Sequence, residues 1–421
     1  MRRFKIISAI ILNFLLAIVL GTALLYVVFL LPNNRVEEHM VQSAITIQNE
    51  GMYPSLSQGF SSTLDNFTDS LMLLNASDTN DESALNRAMA VYHGNIGEEN
   101  NPTAMLVYHY VGGVAFDREY DYPRYWHGYL VFLKPLLKFF DFSTIRVING
   151  IAQVLLFLST AWLMFKRKKE FYIIPWMIGY LMLMPIVQAK SLQYSSCHYV
   201  FMVGSLALLL LTEEKLRKYG IFVFLNIGIA TAFFDLLTYP IVTYGVPMLV
   251  YLMLADEDPF KNKIINIIKN GIFWGIGYGG MWVSKWMLAT RILGRDIIAD
   301  GISQFTERVS DNVSGYQLSK GEVVLANYFK FFSSPAIYIA VVCLVYLIYM
   351  IIKSRNYHFK KALKQIAPCC LVGLTPVIWY IFAANHSAIH AWFTNKACLV
   401  SVLAVFFGLI SLTQEETEKK E

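Results

Sequence analysis

The sequence predicts an all-α, polytopic membrane protein with about ten transmembrane helices and a large, helical first extracytoplasmic loop. Hydrophobic residues make up 56% of the chain and charged residues only 15%, whereas soluble proteins average about a quarter charged. The mean hydropathy of +0.46 agrees with this class. Most basic residues lie in short clusters between apolar runs, which indicates topology rather than nucleic-acid binding. We therefore expect one integral membrane unit over residues 1–421.

The first two apolar runs define the predicted orientation. The run over residues 6–31 is too long for the core of a signal peptide, so we interpret it as a retained span. The next run, residues 145–165, is followed at once by four basic residues, 166–169. Basic residues beside a span favour the cytoplasm. Residues 32–144 are then a large extracytoplasmic loop, and the amino terminus is cytoplasmic.

Eight further spans follow if every basic cluster is kept on the cytoplasmic side. Pro240 divides the apolar run 221–254 into two short helices, because proline cannot continue a helix through its own nitrogen. This topology leaves a second extracytoplasmic loop at 289–332 and a charged cytoplasmic tail at 413–421, so both termini are cytoplasmic in the cell membrane. The predicted spans cover residues 171–187, 195–212, 220–237, 239–255, 264–288, 333–352, 366–384 and 395–412.

Two carboxylates in the first loop, Asp65 and Asp69, are four positions apart and so share one face of a helix. Together with Thr68 they form an acidic, amphipathic element just outside the membrane. The same residues also suit a solvated helix that uses Asp and Thr as caps. Asp235, beside the break at Pro240, is a second candidate, because an ionisable residue at that depth is often functional. It also suits a simple helix-end carboxylate in the headgroup zone.

The last outer segment holds His386 and His390, one helical turn apart, and Lys396. The histidine spacing suits two metal ligands, although no third ligand is evident. A histidine pair beside a lysine also suits a phosphate or pyrophosphate. A third interpretation is that the rings lie among lipid headgroups.

The first loop also contains a cluster of aromatic and charged residues over 117–128. Tyr125, Trp126 and His127 are suited either to stacking on sugar rings or to anchoring at the membrane surface. The apolar run 129–142 that follows contains Lys134 and Pro135 and is too short to span. It predicts a helix that lies in the interface.

The order of these features resembles the GT-C class of membrane glycosyltransferases, which use polyprenyl-phosphate-linked sugars. The matching segments are Thr68-Asp69, Lys134-Pro135-Leu136 and Ile145-Arg146. Segments 125–130 and 385–390 are similar to those of an uncharacterised bacterial branch of such proteins. The resemblance implies transfer of a sugar from a polyprenyl-phosphate donor to a glycan, such as a cell-wall polysaccharide, or to a lipid-linked acceptor on the extracytoplasmic face.

The resemblance also implies roles for the candidate residues. Asp69 is the first choice for the base that takes the proton of the acceptor hydroxyl, and Asp65, Glu37 and Glu38 are the alternatives. A divalent ion, Mg²⁺ or Mn²⁺, bridging carboxylate and phosphate also suits such oxygen ligands, and the sequence does not decide whether one is used. The expected substrate-binding residues are Tyr125, Trp126, His127, Lys134, Asp235, Arg308, His386, His390 and Lys396.

Two other classes of function fit the composition. A transporter or flippase would bind a translocated solute with the same outer charges, but transporters tend to show internal repeats and broken helices at the bilayer midplane. This chain shows no such halves, and its ionisable residues favour one face. A non-catalytic membrane scaffold would leave the outer polar clusters without a role. The sequence therefore favours a glycosyltransferase.

Overall fold

The computed structural model describes residues 2–353 and 359–417, and most of them are helical. The helices of the first half are α1 (Arg2–Leu30), α2 (Asn34–Glu50), α3 (Asn66–Ala76), α4 (Ala84–Ala90), α5 (Pro102–Tyr110), α6 (Leu130–Leu137), α7 (Phe142–Lys166), α8 (Ile173–Met182), α9 (Pro185–Lys190), α10 (Leu192–Leu210) and α11 (Glu213–Phe234). The second half adds α12 (Ile241–Leu254), α13 (Phe260–Leu293), α14 (Ile297–Val309), α15 (Lys320–Phe332), α16 (Ile337–Lys353), α17 (Phe359–Gly373), α18 (Thr375–Phe382), α19 (Ala384–Ile389), α20 (Ala391–Thr394) and α21 (Leu399–Thr417).

Each of the two loops that were predicted to be extracytoplasmic contains one small pair of antiparallel strands. Strands β1 (Tyr92–Asn95) and β2 (Arg118–Asp121) pair within the first loop, with α5 between them in sequence. Strands β3 (Asn312–Val313) and β4 (Tyr316–Gln317) pair within the second. Helices therefore form the body of the protein.

Five helical segments of the described chain are long and apolar enough to cross a membrane. A sixth span results if α15 and α16, which meet at an angle of 94°, are counted as one. The all-α membrane class is thus supported, but the predicted count of about ten spans is not confirmed. Several predicted spans are broken or short, since 171–187 is divided between α8 and α9 and α12 has only 14 residues. The five segments are Ile7–Leu30, Phe142–Lys166, Glu213–Phe234, Ala362–Phe382 and Ala391–Leu412.

The predicted break in the apolar run 221–254 is confirmed. Helix α11 ends at Phe234 and α12 begins at Ile241, directly after Pro240. Asp235 stabilises the connecting turn, because its carboxylate accepts hydrogen bonds from the backbone N–H and the hydroxyl of Thr238. The helix-end interpretation of Asp235 therefore agrees with its contacts.

Three of the predicted cytoplasmic loops meet at one end of the bundle. Lys169 forms an ion pair with Asp256, and Arg217 lies 3.0 Å from Asp258. This clustering agrees with the predicted topology, although the side of the membrane itself stays a prediction. Residues 418–421 of the predicted tail and residues 354–358 of the predicted loop between α16 and α17 lie outside the described residues. We call the opposite end of the bundle the outer end.

Helices α11 and α13 pack with their backbones almost in contact. A Cβ atom on Gly277 would lie 2.2 Å from the carbonyl oxygen of Leu225, and one on Gly228 would lie 2.1 Å from that of Trp274. Small residues permit this kind of close crossing between membrane helices. The pair of glycines therefore determines how closely the two helices approach each other.

Replacement of Gly277 by alanine should destabilise this crossing. Alanine favours a helix by about 1 kcal/mol relative to glycine, but here overpacking should outweigh that gain by costing about 1–3 kcal/mol. Gly275→Ala is the matched control, because no atom lies within 4 Å of its added Cβ. Thermal unfolding in detergent should show a lower Tm for Gly277→Ala and an equal or higher Tm for Gly275→Ala. Equal Tm values for the two variants would contradict the packing argument.

Candidate functional site

Asp69 lies at the centre of the outer end and is fully buried. Its Oδ2 accepts the backbone N–H of Leu192 and its Oδ1 that of Gln193, each at 3.0 Å. These two residues begin α10, so Asp69 satisfies two of the N–H groups that a helix leaves unpaired at its start. Burial raises the pKa of the Asp69 carboxyl to about 7, against the lowering effects of Arg146 and the two backbone bonds.

Asp65 is a cap as well. Its Oδ1 accepts the backbone N–H of Thr68 at 3.0 Å, and its Oδ2 accepts the Thr68 hydroxyl at 3.0 Å, so the predicted cap is confirmed. The prediction that this helix is solvated is wrong, because Asp65 and Asp69 are both fully buried. The indole N–H of Trp392 also approaches Oδ2, at 3.4 Å. Burial raises the pKa of Asp65 above its usual value. Neither Asp65 nor Asp69 lines the two cavities described below, and the base role of Asp69 stays a prediction.

A groove of about 630 Å³ opens beside α7 at its outer end. One wall comes from α7 and the other from α8, α9 and the residues next to them. The lining is mostly apolar, with a few polar groups gathered at one end. The lining residues are Glu50, Ser143, Arg146, Val147, Gly150, Ile151, Val154, Leu155, Tyr180, Pro185, Ile186, Ala189 and Lys190.

The polar end of the groove is a network of charged side chains. Arg146 Nη1 lies 2.8 Å from Glu50 Oε2, and Lys190 Nζ lies 3.1 Å from Glu50 Oε1. Asn66 accepts a hydrogen bond from Arg146 Nη2 at 2.7 Å and donates one to Glu50 Oε2 at 3.1 Å. The guanidinium also lies over the ring of Phe142, 3.9 Å from its centroid. Two cations and one carboxylate therefore meet at the outer end of an apolar groove.

Glu50 and Lys190 were not among the residues predicted for the site. Arg146 was noted only as part of the segment that resembles the glycosyltransferases. Glu50 is the last residue of α2, 96 positions before Arg146, and no local pattern connects the two. A basic residue at the outer start of a predicted span was the one available signal, because the positive-inside rule makes such a residue unusual.

The predicted histidine pair lies in a second group of polar residues at the outer end. The rings of His386 and His390 are 4.8 Å apart between centroids. Arg308 Nη1 lies 3.3 Å from His390 Nε2, so that nitrogen is the acceptor. Burial, followed by the charge of Arg308, lowers the pKa of His390 to about 4. Burial also lowers the pKa of His386 well below its usual value, so both rings are neutral at neutral pH.

Lys396 lies against the segment that precedes α3. Its Nζ is 4.5 Å from the centroid of the Tyr194 ring and 3.4 Å from the carbonyl oxygen of Ser61. Tyr194 in turn donates to the carbonyl oxygen of Thr63 at 3.1 Å. The last outer segment therefore contacts the first loop through Lys396 and Trp392. The phosphate-binding role of Arg308, His386, His390 and Lys396 stays a prediction.

The predicted aromatic residues of the first loop are buried. Tyr125 packs on Trp282 with 4.7 Å between ring centroids, and Trp126 donates to the carbonyl oxygen of Met281 at 2.8 Å. His127 lies 2.9 Å from the hydroxyl of Tyr129, which also accepts a hydrogen bond from Asn75 of α3. Burial lowers the pKa of His127 to about 3. These side chains hold this part of the first loop against α13 and against α3 of the same loop. None of them lines the groove.

The remaining candidates also lie away from the groove. Glu37, in the first turn of α2, and the adjacent Glu38 are both exposed. Lys134 is fully buried in α6, with its Nζ 5.3 Å from the centroid of the Phe29 ring. Burial lowers the pKa of Lys134 to about 8. Within residues 2–353 and 359–417, no three His, Cys, Asp or Glu side chains are grouped as metal ligands. The divalent ion stays a prediction.

Replacement of Asp69 by asparagine distinguishes a structural role at the start of α10 from a role as the catalytic base. Asparagine keeps one carbonyl oxygen, so one buried N–H of α10 loses its acceptor at a cost of about 1–3 kcal/mol. We expect a lower Tm in detergent for Asp69→Asn and an unchanged Tm for Glu38→Gln, the exposed control. An unchanged Tm, combined with a loss of turnover of about 10²–10⁴-fold, would instead assign Asp69 to the chemistry.

No family model, curated protein sequence or solved structure matches this chain. The functional assignment therefore depends on the groove and on the charged residues at its outer end.

Proposed function

We propose that the chain is a membrane glycosyltransferase that moves a sugar from a polyprenyl-phosphate donor to a glycan or lipid-linked acceptor on the extracytoplasmic face. The observation that carries this proposal is the groove beside α7, which combines an apolar length with a pair of cations at one end. A lipid-linked sugar has the same two parts, an apolar tail and a phosphate. The groove therefore matches the donor in chemistry and in order.

The apolar part of the groove suits the lipid tail. Val147 and Ile151, which line it, are 62% and 58% exposed, so the lipid of the membrane would reach the groove from the side. A tail in this position moves from one apolar environment to another, so its binding exposes no apolar surface to water. Binding then depends mainly on the polar end, which provides the specificity.

The polar end suits a single phosphate. Arg146 and Lys190 carry two positive charges and Glu50 one negative charge, which leaves a net charge of +1. A phosphodiester that joins a sugar to a lipid carries one negative charge. When the bond to the sugar breaks, negative charge increases on the departing phosphate. Cations that are already in place stabilise this charge, and such preorganised groups account for a large part of enzymatic rate acceleration.

The first loop suits the acceptor side. Its helix α3 lies next to the cation pair, because Asn66 bonds both Arg146 and Glu50. Beyond α3, a polar cavity of about 510 Å³ opens between the end of α3 and strand β2. An acceptor glycan outside the membrane would approach the donor sugar along this surface.

Removal of the cations should reduce transfer. The side chain of Lys190 is 36% exposed, so Lys190→Gln should fold normally and lose about 10- to 100-fold in transfer, as expected for one charge-assisted hydrogen bond of about 1.5–3 kcal/mol. Arg146→Gln should lose at least as much. Lys320→Gln is the control, because Lys320 is exposed and remote from the groove. The assay is transfer from polyprenyl-phosphate sugars in reconstituted vesicles. Full activity of both cation variants would exclude the proposed donor site.

Narrowing the apolar part of the groove should also reduce donor binding. Val154 lines the groove, whereas Leu158, one turn further along α7, is 54% exposed and does not. Val154→Trp should weaken the binding of polyprenyl phosphate by about 10-fold, equivalent to about 1.4 kcal/mol, and Leu158→Trp should leave it unchanged. Native mass spectrometry of the protein with added lipid measures both. Equal binding by the two variants would place the lipid tail elsewhere.

A further inference from the structure

Glu50 is the single acidic side chain among the residues that line the groove. Both of its carboxylate oxygens point to cations, with Arg146 on Oε2 at 2.8 Å and Lys190 on Oε1 at 3.1 Å. Carboxylate and phosphate present oxygens of similar spacing to a guanidinium, and arginine pairs with either in the same geometry. The carboxylate of Glu50 thus fills the position that an anionic ligand of these two cations would take.

The surroundings of Glu50 allow an exchange of one anion for another. Arg146 Nη2 is held by Asn66 Oδ1 at 2.7 Å, and its plane stacks on Phe142, so the guanidinium keeps its place without Glu50. Glu50 is the last residue of α2 and is followed by Gly51, whose φ of +81° is a conformation that favours glycine. The Glu50 side chain is 21% exposed and faces the open groove.

We propose that Glu50 occupies the phosphate-binding position of the empty protein, that the phosphate of the donor displaces it from Arg146 and Lys190, and that the released carboxylate then accepts the proton of the acceptor hydroxyl. The inference rests on the proposed function in its last step. The exchange itself requires only that a lipid phosphate binds to the two cations.

The exchange changes the proton affinity of Glu50. In the empty protein burial acts to raise the pKa of Glu50, but Arg146, Lys190 and Asn66 outweigh it and hold the pKa below its usual value. The charged groups around it are Arg146 from α7 and Lys190 from α9, with Asp69 of α3 close to Arg146. After the exchange Glu50 loses both cations and gains a neighbouring anion. Each change favours the protonated form.

Donor, acceptor, Glu50 and the two cations account for every bond, proton and electron pair in the transfer step. The acceptor oxygen forms a bond to the anomeric carbon of the sugar while the bond from that carbon to the phosphate oxygen breaks. The hydroxyl proton moves to Glu50, and the bonding electrons leave with the lipid phosphate, which Arg146 and Lys190 hold. Asp65 and Asp69 are less suited to this proton transfer, because their oxygens stay bonded at the starts of α3 and α10, whereas the exchange releases the carboxylate of Glu50 from both cations.

The test compares wild type with Glu50→Gln, and Glu37→Gln, an exposed substitution in the same helix, is the control. Undecaprenyl phosphate, a phosphomonoester, is the first probe, and vesicles that contain phosphatidylglycerol provide a phosphodiester without a sugar. Because glutamine cannot compete as an anion, Glu50→Gln should bind the lipid phosphate about 3- to 10-fold more tightly than wild type, and Glu37→Gln should match wild type. Transfer by Glu50→Gln at saturating donor should fall at least 100-fold.

Weaker or equal binding by a Glu50→Gln variant with an unchanged Tm would overturn the exchange. Undiminished turnover at saturating donor would overturn the proton-accepting role. If wild type transfers no sugar but Glu50→Gln still binds lipid phosphate more tightly, the proposed function fails and the exchange stands. If neither protein binds either probe, both fail. Glu50→Asp should recover part of the turnover without a change in Tm relative to Glu50→Gln, because it restores a carboxylate that can accept the proton.

Discussion

The outer end of the protein depends on one buried carboxylate. Asp69 is bonded to two backbone N–H groups at the start of α10, and this contact joins the first loop to the helical bundle. A helix start carries partial positive charge and unpaired donors, so a buried acid there satisfies both. Asn66 lies on the same helix as Asp69, three residues earlier. The cap therefore also positions the amide that holds Arg146 and Glu50.

Helix α3 organises the remaining outer elements in the same way. Polar residues along it and at its N-cap bond distant parts of the chain. Asp65 contacts Ser191 and Trp392, and Asn75 contacts Tyr129. Because Ser191 and Tyr129 are buried, loss of either bond would leave an unsatisfied buried polar group. A short helix of 11 residues thus holds together segments from the first loop, from α10 and from the last outer segment.

Buried ionisable side chains and those at the edge of the groove differ in their charge. The buried histidines have lowered pKa values because burial disfavours their charged forms. In contrast, Arg146, Glu50 and Lys190 keep their charges by pairing with one another at the edge of the groove. Glu50 and Lys190 are partly exposed, so they can exchange partners at a lower cost than a fully buried charge pair, which cannot lose one partner without a large penalty. At the groove, charge is therefore both concentrated and reachable.

The sequence by itself determined the membrane class, the first two spans, the break at Pro240 and the importance of residues 65–69. Each follows from local properties: apolar length, clusters of basic residues, the missing N–H of proline and the four-residue spacing of two acids. Local patterns did not determine the number of spans, because a buried helix and a lipid-facing helix have similar composition.

The tertiary structure alone decided what the polar residues contact. Asp69 resembles a surface acid in sequence, but its partners are 123 and 124 residues away. Glu50 ends an ordinary amphipathic helix, and only the approach of α7 and α9 places two cations on it. Tyr125, Trp126 and His127 suggested a sugar platform, but they are buried against α13 and α3. A side chain's chemistry is local, whereas its burial and partners depend on which distant segments pack around it.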